Sequence, residues 1–96
     1  MSKNIAITGG NSGIGLETAR GLYGDGHTVI IGSRNEQKNI DAIKEIMASR
    51  PNSSGTIKYF PLDLTKKESI EKFAEFVKQE FKQLDILINN AGLIRN

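Results

Sequence analysis

The residues best suited to chemistry in this chain are Thr8-Gly9-Gly10-Asn11-Ser12-Gly13-Ile14-Gly15. They follow the apolar run Ile5-Ala6-Ile7 and open a helical pattern through Leu16, Ala19 and Leu22. A strand, a glycine turn and a helix bring a helix N-terminus to a strand end. The first N–H groups of a helix lack internal partners and sit at the positive end of its dipole, so they attract an anion. At Gly9, Gly13 or Gly15 a side chain would block a positive φ angle or the close approach of backbone to ligand. The turn reads as a cradle for a dinucleotide pyrophosphate. Its spacing is G-x-x-x-G-x-G, which differs from the commonest dinucleotide fingerprint. It is not a nucleoside-triphosphate loop either. Gly10 and Gly15 have that loop's outer spacing, but Leu16-Glu17 stands where Lys-Ser/Thr is required, and a glutamate would repel a triphosphate.

Other chemistry is thin. The chain has no cysteine, which excludes disulfides and thiolate catalysis and suits a reducing compartment. No residues have metal-ligand spacing, and no nucleophile–His–acid set can be assembled. His27, in the turn before the second apolar run, reads as a solvated loop histidine.

The elements that must position the glycine turn follow from hydrophobic period. The first helix runs to about Tyr23 and ends at Gly24-Asp25-Gly26. Thr28-Val29-Ile30-Ile31 forms a second strand, closed by Gly32-Ser33-Arg34. A second helix spans about Glu36 to Ser49, with Ile40, Ile43, Ile46 and Met47 as its apolar stripe. Arg50 to Gly55 is a surface loop. Thr56 to Phe60 is a third strand, whose lysine and following Pro61 suit a sheet edge. Thr65-Lys66-Lys67-Glu68 has the form of a capping box for a third helix, with Ile70, Phe73, Ala74, Val77 and Phe81 on one face. Asp85-Ile86-Leu87-Ile88 is a fourth strand, followed by Asn89-Asn90-Ala91-Gly92.

Strands alternating with helices make βαβ units, hence an α/β fold with a parallel sheet covered on both faces. In the Rossmann-type doubly wound order 3-2-1-4, the fourth strand lies at an open edge. Its apolar sequence suits an interior position, so the fold is expected to be incomplete. Such an edge invites pairing with another chain, which leaves a homo-oligomer open.

With 96 residues the chain makes at most one small domain. A net charge of +2 is too small and scattered to point to nucleic acid. No apolar run approaches bilayer-spanning length, and the strand pattern starts too early for a signal peptide. A cytoplasmic location is expected.

Three motifs then converge. Thr8-Gly9 through Gly13-Ile14-Gly15, Asp63-Leu64 after strand three, and Asn90-Ala91-Gly92 after strand four resemble those of the short-chain dehydrogenases/reductases. The Gly-Ser-Arg-Asn segment and Asp85 to Gly92 look most like the retinol dehydrogenase and WW-domain oxidoreductase branch. The resemblance covers the whole chain but less than half of a complete family domain. It implies an oxidoreductase that moves hydride between a nicotinamide and an alcohol or carbonyl substrate. It implies that Gly9, Ser12, Gly13, Ile14 and Gly15 line the pyrophosphate, and that Asp63 and the Leu64 backbone hold the adenine. Asn90, Ala91 and Gly92 would lie near the adenosine ribose, with Asn90 also bracing the sheet.

NAD-preferring relatives of this kind carry an acid at the end of strand two. Ser33 stands there instead, followed by Arg34, whose guanidinium suits a 2′-phosphate. NADP is therefore the expected cofactor, with NAD less favoured. The family's Tyr-x-x-x-Lys pair is missing from these residues: His27 lies four beyond Tyr23, and Asp63 four beyond Tyr59. No catalytic residue is assigned, and the chain by itself is expected to be inactive. The alternative is a non-catalytic nucleotide-binding or regulatory module.

Overall fold

The computed structural model describes residues 2–11 and 13–90. β1 (Asn4–Thr8), α1 (Gly13–Gly24), β2 (Thr28–Ser33), α2 (Glu36–Ser49), β3 (Thr56–Pro61), α3 (Lys67–Glu80) and β4 (Ile86–Asn89) follow in chain order. The strands form one sheet in the order β3-β2-β1-β4. Every neighbouring pair is parallel, with Ile5 opposite both Val29 and Ile86. This is the doubly wound arrangement expected from the alternation of elements.

The period-two alternation of strand side chains sorts the core into two layers. Ile5, Ile7, Val29, Ile31 and Ile57 face one side, where they meet Ala19 and Tyr23 of α1 and Ala42 and Ile46 of α2. Ala6 and Ile30 face the other side, against Leu62, Phe73, Val77 and Phe81. Continuous apolar runs in β1 and β2 are needed because both of their faces are covered. Arg20 ties α1 to α2, bonding Glu17 at 3.1 Å and Glu45 at 2.7 Å.

Several local expectations are corrected. The capping box at Thr65 does not form. Lys66 occupies the N-cap without a side-chain bond, because the Thr65 hydroxyl and N–H both donate to Asp63 Oδ1, at 2.6 and 3.0 Å. α2 is capped instead by Asn35, whose side chain accepts the Lys38 N–H at 3.0 Å. Its inward residues are Asn39, Ala42 and Ile46, while Met47 is exposed. On α3, Phe73 and Val77 are buried, but Ile70 and Ala74 are exposed. β4 starts one residue late, at Ile86, and Asp85 before it bonds the start of β1: its Oδ2 accepts the Asn4 N–H at 2.8 Å and its N–H donates to the Asn4 carbonyl at 2.9 Å. His27 is half-buried, and its Nδ1 accepts the Lys3 N–H at 3.0 Å, which ties the turn to the approach to β1.

Candidate functional site

Because all four strands are parallel, their C-terminal ends lie along one edge of the sheet. There β1 delivers Gly9, β2 delivers Ser33 and Arg34, β3 leads to Asp63, and β4 ends beside Asn90. The chain winds one way from β1 through β3 and returns on the other side to β4, so the switch point falls between β1 and β4. Crevices at such points are where open α/β sheets take ligands.

The glycine turn is built around two left-handed residues, Gly9 (φ 73°) and Gly13 (φ 57°). The Gly9 N–H donates to the Gly32 carbonyl at 2.7 Å, fixing the turn against β2. Around Gly13 the space is open: a Cβ there meets nothing within 4 Å. Gly13 and Ile14 at the start of α1 are both exposed, Ile14 at 80%. Gly15 differs. A Cβ on it would lie 2.2 Å from the Gly9 carbonyl oxygen and 2.8 Å from Asn90 Nδ2. Gly15 lets α1 pack onto the turn, and the expected ligand-approach role for it is joined by a packing role. Asn90 Nδ2 donates to the Gly9 carbonyl at 3.3 Å, and Thr8 Oγ1 donates to Asn89 Oδ1 at 3.0 Å. These bonds clamp the turn between β1 and β4.

Along the same edge of the sheet, at the end of β2, Ser33 is half-buried and Arg34 is exposed. Asn11 Nδ2 donates to Ser33 Oγ and, at 3.2 Å, to Asn39 Oδ1. Ser33 Oγ donates to the same Asn39 oxygen at 2.8 Å, and Asn39 Nδ2 donates to the Ser33 carbonyl at 3.2 Å. Asp63 closes the corner. Its N–H donates to Ser69 Oγ at 2.7 Å. The two Thr65 hydrogen bonds, the larger influence, hold its carboxyl below the usual Asp range, and the nearby Arg34 and Lys66 cations add to this. Leu64 follows with its side chain partly exposed.

Gly9, Gly13, Ile14, Gly15, Ser33, Arg34, Asp63, Leu64 and Asn90 thus follow the C-terminal ends of the strands or open α1. Ser12, Ala91 and Gly92 lie outside the described residues. Asn11 and Asn39 belong to the same corner and were missed in the sequence. The available signal for Asn39 was its position: it falls three residues before Ala42 and seven before Ile46, on the buried stripe of α2. Among the described residues, no group of His, Cys, Asp and Glu is placed to hold a metal ion. None of the described helices is long and apolar enough to cross a membrane.

Comparison with known proteins bears on this crevice. Residues 3–96 match the short chain dehydrogenase family. Short-chain dehydrogenase/reductase 1 of Saponaria officinalis is 44% identical over 93 residues, 97% of this chain and 30% of that protein. Retinol dehydrogenase 12 of Bos taurus is 47% identical across 98% of this chain and 29% of its own length. The WW domain-containing oxidoreductase of Drosophila melanogaster is 40% identical across 95% of this chain and 22% of its own. The chain therefore spans less than a third of the length of these relatives. Among solved structures, menthone neomenthol reductase from Mentha piperita superposes with a TM-score of 0.85 at 35% identity, covering 96% of this chain and 32% of that one. Actinorhodin polyketide ketoreductase, solved with NADPH, gives 0.79 at 30% identity, covering 96% and 35%. With its parallel order, its switch-point crevice and this match along nearly its whole length, the chain belongs to the short chain dehydrogenase family of oxidoreductases, and it resembles the retinol dehydrogenase and WW-domain oxidoreductase branch.

Proposed function

We propose that these residues are the cofactor-binding portion of an NADP-dependent oxidoreductase. In the complete domain, hydride would pass between the nicotinamide and an alcohol or carbonyl carbon. The open N-terminus of α1 at Gly13 and Ile14 receives the pyrophosphate, with Ser12 beside it. Asp63 and the Leu64 backbone take the adenine, and Asn90 with Ala91 and Gly92 borders the ribose. The acid–base residues for hydride transfer belong to a part of the domain beyond these motifs, so residues 1–96 alone bind dinucleotide without turnover. The cytoplasm is the proposed location.

One observation carries the choice of cofactor: β2 ends in Ser33 rather than an acid, and the exposed Arg34 follows it. A guanidinium there meets a 2′-phosphate of roughly −1.5 to −2 charges, by analogy with other phosphate monoesters. A hydrogen bond to a charged group contributes about 1.5–3 kcal/mol, which is roughly ten- to a hundredfold in affinity. The relative solved with NADPH supports the same reading. The test is calorimetric titration of the complete domain with NADPH and NADH. Arg34→Ala should weaken NADPH by about tenfold or more while changing NADH little. Equal weakening of both would remove Arg34 from 2′-phosphate recognition.

A further inference from the structure

Asn39 is an unexpected residue for the inside of a helix. Its relative exposure is 0%, on a face otherwise made of Ala42 and Ile46. Asparagine is a weaker helix former than alanine, and a buried amide is unfavourable unless its polar atoms are bonded. Here they are bonded. Oδ1 receives Ser33 Oγ at 2.8 Å and Asn11 Nδ2 at 3.2 Å, while Nδ2 donates to the Ser33 carbonyl at 3.2 Å. One amide thus joins the glycine turn, the end of β2 and the first turn of α2.

The carbonyl it holds is that of the Ser33–Arg34 peptide. The Leu62 N–H donates to the same oxygen at 3.0 Å. Two donors from different elements therefore fix the plane from which Arg34 departs. The Ser33 hydroxyl proton points inward, to Asn39, so this corner leaves 2′-phosphate recognition chiefly to Arg34. We propose that Asn39 is a positioning residue that sets the preference for NADPH over NADH by fixing the Ser33–Arg34 peptide. The proposal rests on the cofactor reading given above. Asn39 touches no cofactor itself; it acts through Arg34.

The test is calorimetry on the complete domain with NADPH and NADH, comparing wild type, Asn39→Leu, Arg34→Ala and the double variant. Leucine fills the space of the amide and removes each of its hydrogen bonds. The NADPH-to-NADH affinity ratio should fall by about tenfold in Asn39→Leu, the loss of one well-aimed charged hydrogen bond. In the Arg34→Ala background the same substitution should leave the ratio unchanged, since the residue it acts through is gone. A purely structural Asn39 would lower the melting temperature and leave the ratio intact. That result, or an equal fall of the ratio in the Arg34→Ala background, overturns the proposal. Should Asn39→Leu fail to fold, Asn39→Ala leaves space instead of filling it and is read the same way. Wild type that binds neither nucleotide overturns the cofactor reading and this proposal together. Wild type that prefers NADPH, with an unchanged ratio in the variant, overturns this proposal alone.

Discussion

Gly13 and Gly15 lie two residues apart and are required for different reasons. Gly13 is held at φ 57° in open space, whereas Gly15 sits against the Gly9 carbonyl. A methyl group at Gly15 must displace backbone, so Gly15→Ala should destabilise the fold by about 1–3 kcal/mol, read as a lower urea midpoint. An unchanged midpoint would contradict the packing role. Asp63 carries a pH dependence whose sign follows from its hydrogen bonds. Its folded pKa lies below its unfolded one, so the unfolded chain binds more protons in that interval and stability rises with pH across it. The contribution is complete above the unfolded value of about 3.9 and is lost as pH falls through the lower folded value. The stability advantage of wild type over Asp63→Asn should therefore shrink on acidification through that window, measured by urea melts at successive pH values. A difference independent of pH would mean that the Thr65 contacts do not favour the ionised carboxylate. The glycine turn and Asp63 were legible because residue type and spacing alone restrict what they can do. Asn39 was not, because a polar residue inside a helix is ordinarily read as surface until its partners are known.

Helices and strands were legible to within about a residue in β1 and α2, while β2 runs two residues beyond its apolar run, to Ser33. Their ends were less so, because caps depend on which neighbour wins a shared hydrogen bond. Thr65 shows this. Its capping pattern is correct in sequence, but its hydroxyl is held at Asp63 Oδ1 and Thr65 stands one residue before the N-cap. α3 is left with Lys66 as its N-cap, in the extended conformation of that position (φ −123°, ψ 118°) but without a side-chain acceptor. A lysine there also places a positive charge at the positive end of the helix dipole. Lys66→Ser should supply the missing acceptor and stabilise the domain by about 0.5–1 kcal/mol, seen as a raised urea midpoint at unchanged slope. A lowered midpoint would show that the Lys66 side chain contributes more than the cap it fails to make. The apolar stripes err for a related reason. Ile70 and Met47 lie on helix faces that the present sheet does not reach, and helical period alone cannot say how wide a neighbouring surface is.

At the scale of the whole molecule, the described sheet is well covered over β1 and β2, while on β4 only Ile88 packs against the core. Ile86 is 39% exposed and Leu87 is 60% exposed, although both belong to a strand written for an interior position. Leu87 pairs with Ala6, whose face is covered by α3 elsewhere in the sheet. An apolar edge of this kind is stabilised by further chain, which agrees with relatives more than three times as long. Among the described residues, Gly9, Gly13, Gly15 and Asn90 stand where β1 and β4 part. The helix N-terminus at Gly13 is the proposed seat of a dinucleotide's pyrophosphate. Gly13→Val tests it directly: a Cβ at Gly13 meets no other part of the protein within 4 Å, although the left-handed backbone strains a β-branched residue, so the variant's fold is checked by its melt. Calorimetric titration of the complete domain with NADPH should show binding by wild type and none measurable by a folded Gly13→Val variant. Wild-type affinity in that variant would contradict the assignment.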